Sequence, residues 1–258
     1  MKKLAIVDLK GGLGNQIFQL AYALYLKSIN LQTLVDLHFF DLDHPFPRNL
    51  EIDPSLFDLK SIKLRNNKIF FHLNTHFQED NTFSEKDFKV FNRFVGYYQN
   101  LEYLNISNEL FRRKLSLSSN KMDCNLVAVH IRKTDYLKIR QNLNDDYYVE
   151  SIKKILEFNN NLKFDIYTDD ESFIPNKHIY KNINNFYKPD KNKSPLEVLQ
   201  ALSCYKNYII ANSTFSLLAA YFSDFEEKKV FYPSPWFRNS NIQITNIPKH
   251  WIKIENNG

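Results

Sequence analysis

Four side chains able to carry a charge or a proton fall within six positions of the segment LVAVHIRKTDY: His130, Arg132, Lys133 and Asp135. They follow the apolar run Leu126 to Ile131, which reads as a buried strand, so they stand at its carboxyl end. Ligands of open α/β sheets bind at the carboxyl ends of strands. A guanidinium presents planar paired donors to phosphate oxygens, and an ammonium adds a compact positive charge. The group therefore suits a phosphorylated ligand. A lone charge would need no explanation beyond a strand reaching solvent; four functional side chains together favour a site.

A second segment, IIANSTFSLLAAYF at 209–222, runs from a buried strand through Asn212, Ser213 and Thr214 into an apolar helix. Ser213 or Thr214 serves as a helix N-cap. The same geometry offers backbone N–H groups and a hydroxyl to a phosphate. Set against Arg132, it would make a two-sided clamp for a pyrophosphate.

The third feature is a glycine loop. Three of the five glycines, Gly11, Gly12 and Gly14, lie between the apolar run Leu4–Leu9 and a helical pattern at Ile17, Leu20, Ala21, Leu24 and Tyr25. Strand, glycine loop and helix aim backbone N–H groups at an anion, although a tight structural turn accounts for the loop equally well. GGLGNQ lacks both the G-K-[ST] of a Walker loop and the third glycine of a dinucleotide fingerprint. It does not name a ligand.

These segments need a scaffold of alternating strands and helices, which implies parallel sheets covered by helices. In the first half the pattern predicts strands at 3–9, 32–37, 69–73 and 90–99, with helices at 15–28 and 101–115. A polar linker covers 116–123. The second half predicts strands at 126–131, 164–168, 208–211 and 229–233, the last taken as final. Its helices are 147–158 behind cap candidates Asp145 and Asp146, 195–205 behind Ser194 and Pro195, and 214–222. The expected division is an N-terminal domain at 1–120 and a C-terminal domain at 121–258, with a ligand crevice between them.

With 258 residues, 43% of them hydrophobic, the chain has material for such cores. The net charge of +5 is spread out, which argues against nucleic acid and is compatible with a small anionic ligand. Cys124 and Cys204 are too far apart for a zinc knuckle, and Cys204 is expected in the core. Asp41 and Asp43 match a metal-binding D-x-D string but lack a preceding buried strand; His72 and His76 fall on or beside strand-like sequence. No metal site is expected. The apolar run after Met1 is cut by Asp8 and Lys10, and no run reaches transmembrane length, so a cytoplasmic location is expected.

HIRKTDY resembles the H-x-R-R-x-D motif of fucosyltransferases that use GDP-fucose. GGLGNQIFQLAYALYLK, FVGYYQNLEYL, FDIYTDD and the stretch from Leu196 through CYKNYIIANSTFSLLAAYF to PSPWF are similar to successive landmarks of bacterial α-1,2-fucosyltransferases, glycosyltransferase family 11. The order holds from residue 3 to residue 237. The resemblance implies a GT-B-like fold of two facing Rossmann-type domains, the first on the acceptor side and the second binding the GDP-sugar. It implies metal-independent, inverting transfer of L-fucose from GDP-β-L-fucose to a galactoside hydroxyl, O2 by family expectation, on an oligosaccharide or lipid-linked glycan. Peripheral contact with the inner face of the cytoplasmic membrane belongs to that expectation. The alternatives are another GDP-linked deoxyhexose, such as a colitose-type sugar, or a non-catalytic glycan- or nucleotide-binding homologue.

Carried over by position, Arg132 would bind the β-phosphate and stabilise the leaving group. Lys133 would add charge, His130 would line the nucleoside site, and Ser213 and Thr214 would hold phosphate. Glu197, where the family usually has Asp, would hydrogen-bond guanine, and Gly14 and Asn15 would face donor and acceptor, Gly14 as a donor-binding residue and Asn15 as a catalytic residue together with Arg132. The chain departs from the family with Lys133 for a second arginine, Leu217-Leu218 for a Trp pair and Tyr221 for another Trp. It is also short for the family. Inverting transfer needs a proton acceptor; Asp8, Asp36, Asp135 and Asp169 are candidates, each with an equally good role as a cap or strand-end residue.

Overall fold

The structure, a computed structural model, describes residues 2–45, 47–64, 74–77, 85–117, 120–176, 180, 182–238 and 244–256. The chain divides into two compact units, Met1–Leu115 and Ser116–Gly258.

In the first unit, β1 (Leu4–Asp8) leads through the glycine loop into α1 (Leu13–Ser28), followed by β2 (Gln32–Asp36), β3 (Lys60–Ile62), β4 (Asn74–Phe77), β5 (Phe91–Val95) and α2 (Leu101–Lys114). Among the described residues the sheet order is β3-β2-β1-β5-β4, with every pairing parallel. The expected strand at 69–73 lies outside the described residues. The expected strand at 90–99 stops at Val95, because Tyr98 takes a left-handed φ of 49° and turns the chain. Helix α1 buries Ile17, Leu20, Ala21 and Leu26 together with two polar residues, Gln16 and Gln19.

The second unit runs β6 (Leu126–Ile131), α3 (Thr134–Lys138), α4 (Asp145–Phe158), β7 (Lys163–Thr168), β8 (Ile183–Tyr187), α5 (Pro195–Leu202), β9 (Asn207–Ile209), α6 (Thr214–Phe222), β10 (Lys229–Ser234) and β11 (Ile252–Glu255). Its sheet order is β11-β10-β9-β6-β7-β8, all parallel. Counted from β6, this is the 3-2-1-4-5-6 order of a nucleotide-binding Rossmann sheet, with its reversal between β6 and β9. Both units are Rossmann-like parallel-sheet domains, the pair that the resemblance implies.

Three expectations need correction. β10 is not the final strand, since β11 pairs alongside it; the polar sequence IKIE hid it. Helix α4 is capped by Asn144, whose side chain accepts from the Tyr147 N–H, and Asp145 and Asp146 form its first turn. Cys204 is half-buried rather than a core residue.

The strand parity of β6 decides which residues can reach a ligand. Val127, Val129 and Ile131 face a core completed by Phe164, Ile166, Ile209 and the α4 residues Tyr147, Tyr148, Ile152 and Ile155. His130 points to the opposite face, where its ring lies 5.9 Å from that of Phe215 on α6.

Candidate functional site

β6 and β9 pair as far as Val129 and Ile209, then part. Two buried tyrosines of α4 serve carbonyls at these strand ends: Tyr148 Oη donates to His130 O at 3.2 Å, on the side where β9 has parted, and Tyr147 Oη lies 2.6 Å from Ile210 O and 3.2 Å from Phe231 O, between β9 and β10. Burial pushes both phenols well above their usual range, so they remain protonated donors.

Arg132 sits at this opening with 22% of its side chain exposed. Its Nη2 lies 2.8 Å from Asp135 Oδ1, and its Nη1 lies 3.1 Å from Asp169 Oδ2. Its Nε is buried and has no hydrogen-bond partner. The Tyr136 ring lies 5.4 Å from the guanidinium carbon. Burial works against the arginine's charge, but Asp169 and then Asp135 outweigh it, so its pKa is raised. Arg132 is thus a permanently charged, pre-oriented donor group with unspent N–H capacity.

His130 is buried and its Nδ1 has no partner. Burial, reinforced by the Arg132 charge, lowers its pKa to about 4, so the imidazole is neutral near pH 7. Across the opening, Asn212 is 1% exposed; its Nδ2 donates to Gln141 O at 2.8 Å, while its Oδ1 has no partner. Ser213 caps α6, its Oγ accepting from the Phe215 N–H at 3.4 Å, and Thr214 opens that helix. The Lys133 ammonium lies 5.7 Å from the Phe173 ring centre. His130, Arg132, Lys133, Ser213 and Thr214 therefore gather at the two strand ends flanking the sheet reversal. Asn212 and Asp169 join them. Neither had been given a ligand-binding role by the sequence, because their approach depends on strand order.

The remaining sequence candidates stand on other elements. Glu197 is in the first turn of α5 and completes a capping box: its Oε2 accepts from Ser194 N at 2.7 Å and Ser194 Oγ at 2.8 Å. Those bonds hold its carboxyl below the usual range. Gly14 is buried within α1, and Asn15 accepts from Gln99 Nε2 at 3.0 Å. The glycine loop is fixed by side chains not singled out from the sequence. Gln16 Nε2 donates to Gly11 O and Asn49 O while its Oε1 accepts from Glu51 N, and Gln19 joins Lys10 N to Gly96 O.

Each candidate proton acceptor has partners. Asp8 holds Arg93 by two bonds of 2.8 and 2.9 Å, and Asp36 accepts from the backbone of His38 and Leu64. Asp135 and Asp169 hold Arg132. Burial raises the Asp8 pKa despite the opposing influence of Arg93. Asp41 is in a short 3-10 helix and pairs with Lys63 at 2.7 Å. His76 Nε2 lies 3.2 Å from Asn92 Oδ1, and His72 is outside the described residues. No group of three or more potential metal ligands occurs among the described residues.

A Rossmann sheet with cationic, hydroxyl and helix-end donors at its reversal has the form of a nucleotide-binding unit. The model of glycosyl transferase family 11 matches residues 2–255, and the chain belongs to that family of glycosyltransferases. It is 27% identical to an Escherichia coli alpha-1,2-colitosyltransferase over 293 aligned positions, covering 98% of this chain and 99% of the relative. It is 29% identical to the E. coli O-antigen biosynthesis glycosyltransferase WbnK, over 60% of this chain and 52% of that protein. Among solved structures, the fucosyltransferase NodZ from Bradyrhizobium aligns with a TM-score of 0.49 and 13% identity, covering 85% of this chain and 92% of that one. A glycosyl transferase family 9 protein from Veillonella parvula aligns at 0.48 with 9% identity, covering 99% and 88%. Among the described residues, no helix is long and apolar enough to cross a membrane.

Proposed function

We propose that this glycosyltransferase moves L-fucose from GDP-β-L-fucose to a galactoside hydroxyl, O2 by family expectation, with inversion and without a metal, during surface-glycan synthesis. The observation carrying the reading is the Arg132 centre between β6 and β9, beside the N-terminus of α6. Breaking the glycosidic bond puts negative charge on the departing diphosphate. Arg132, Lys133, the Ser213 and Thr214 hydroxyls and the N–H groups opening α6 stabilise that charge without a bound cation. His130, neutral at the working pH, hydrogen-bonds a nucleoside group rather than adding charge. The acceptor is a galactose-terminated oligosaccharide or lipid-linked glycan. The enzyme works in the cytoplasm, approaching the membrane through that acceptor.

A second reading keeps the reaction and changes the sugar. The colitosyltransferase name of a relative matched over almost its full length supports another GDP-linked deoxyhexose as donor. The test is GDP release and product mass with GDP-fucose, GDP-colitose and GDP-mannose in EDTA, using lactose and N-acetyllactosamine as acceptors. Turnover with GDP-fucose supports the first reading. Turnover confined to GDP-colitose supports the second, and strict dependence on added divalent metal overturns both as stated.

A further inference from the structure

Three consecutive residues converge on one carboxylate. Asp169 Oδ1 accepts from Lys133 N at 2.7 Å, while Oδ2 accepts from the Thr134 hydroxyl and lies 3.1 Å from Arg132 Nη1. The other carboxylate on Arg132 differs in kind. Asp135 is three residues along the same segment and travels with it. Asp169 follows β7, which is registered beside β6 up to the pair Ile131 and Thr168, so it anchors the guanidinium to the sheet.

We propose, on the functional reading above, that Asp169 is the positioning residue for transfer: it fixes the orientation in which Arg132 meets the diphosphate. By pairing with Nη1, with Asp135 on Nη2, it fixes the plane of the fork and leaves the remaining N–H groups of the guanidinium for a ligand. Its negative charge also has a cost. A carboxylate beside the phosphate site offsets part of the positive charge that Arg132 and Lys133 supply, which opposes binding of an anionic nucleotide in the ground state. Orientation favours turnover, whereas charge disfavours GDP affinity.

That opposition separates positioning from simple structural support. Asp169→Asn keeps an acceptor for Lys133 N and removes the ion pair. GDP should bind up to about tenfold tighter, because a like charge has left the phosphate site. The kcat should fall about 10- to 100-fold, because the guanidinium is no longer held in register with the leaving group. Asp169→Glu keeps the charge but moves it by one methylene, so GDP affinity should stay within about threefold while kcat again falls by about tenfold or more.

The experiment is GDP titration by calorimetry with steady-state transfer kinetics, on the full chain and both variants, each checked for an unchanged melting temperature. Unchanged kcat in either folded variant overturns the assignment. So does weakening of GDP binding in step with kcat, which marks a structural or direct binding role. If Asp169→Asn does not fold, the Asp169→Glu result decides alone. Failure of the unaltered protein to bind GDP overturns the functional reading as well, and is thereby distinguished from failure of the Asp169 assignment.

Discussion

The hydroxyl of Tyr148 donates to the carbonyl of His130 across 3.2 Å, at the level where β6 has lost its pairing with β9. A helix side chain thus completes the backbone hydrogen bonding of the strand that ends in Arg132. Removing this hydroxyl leaves a buried carbonyl without that donor. Tyr148→Phe should lower stability by about 1–3 kcal/mol, measured by denaturant unfolding. A loss under about 0.5 kcal/mol would show that the carbonyl is satisfied without Tyr148.

The glycine loop yields a paired prediction. Gly11 has φ +79°, and a Cβ there would stand 2.8 Å from Asn15 Nδ2, whereas a Cβ on Gly12 would meet nothing within 4 Å. Gly11→Ala should destabilise by about 1–3 kcal/mol through backbone strain. Gly12→Ala, at a helix N-cap with φ −79°, should cost less than about 1 kcal/mol. Melting curves of the two variants check the ordering; equal losses would contradict it.

His130 makes stability depend on pH. Its folded pKa of about 4 lies below the unfolded value of 6.5, so in that window the unfolded chain binds more protons. The contribution of His130 is complete above about pH 6.5 and falls by roughly 3 kcal/mol as pH drops toward 4. Replacing it with Gln should flatten the unfolding free energy across this window. An unchanged slope would contradict a buried neutral imidazole.

Arg132 supplies a charge and a planar fork, and two substitutions separate them. Arg132→Ala should reduce kcat by about 10²- to 10³-fold. It also leaves Asp135 and Asp169 without their shared cation, so the variant should be less stable than the parent. Arg132→Lys should recover stability but little turnover, because an ammonium cannot make the paired contacts. Turnover near the parent level in the Lys variant would remove the fork from the account. Calorimetric melting and GDP-release rates measure the two effects.

Legibility in the sequence followed burial and local chemistry. The continuous apolar runs of β6 and α6, and the Ser194-Pro195 start of α5, are readable because neighbouring residues dictate them. INNFY and IKIE escaped because β8 and β11 are the edges of their sheet, with polar residues on exposed positions. Arg132 and His130 stood out as neighbours in the chain. The approach of Asp169, 37 positions after Arg132, exists only once β7 lies beside β6. The tyrosine donors of α4 and the Gln16 and Gln19 braces likewise use functional groups whose partners are set by tertiary structure.

A crystal structure of the protein with GDP tests the central claim most directly. The account predicts β-phosphate oxygens within hydrogen-bonding distance of Arg132 and of the Ser213-Thr214 start of α6. A diphosphate bound instead against Gly11–Asn15, with Arg132 held only by Asp135 and Asp169, would contradict it.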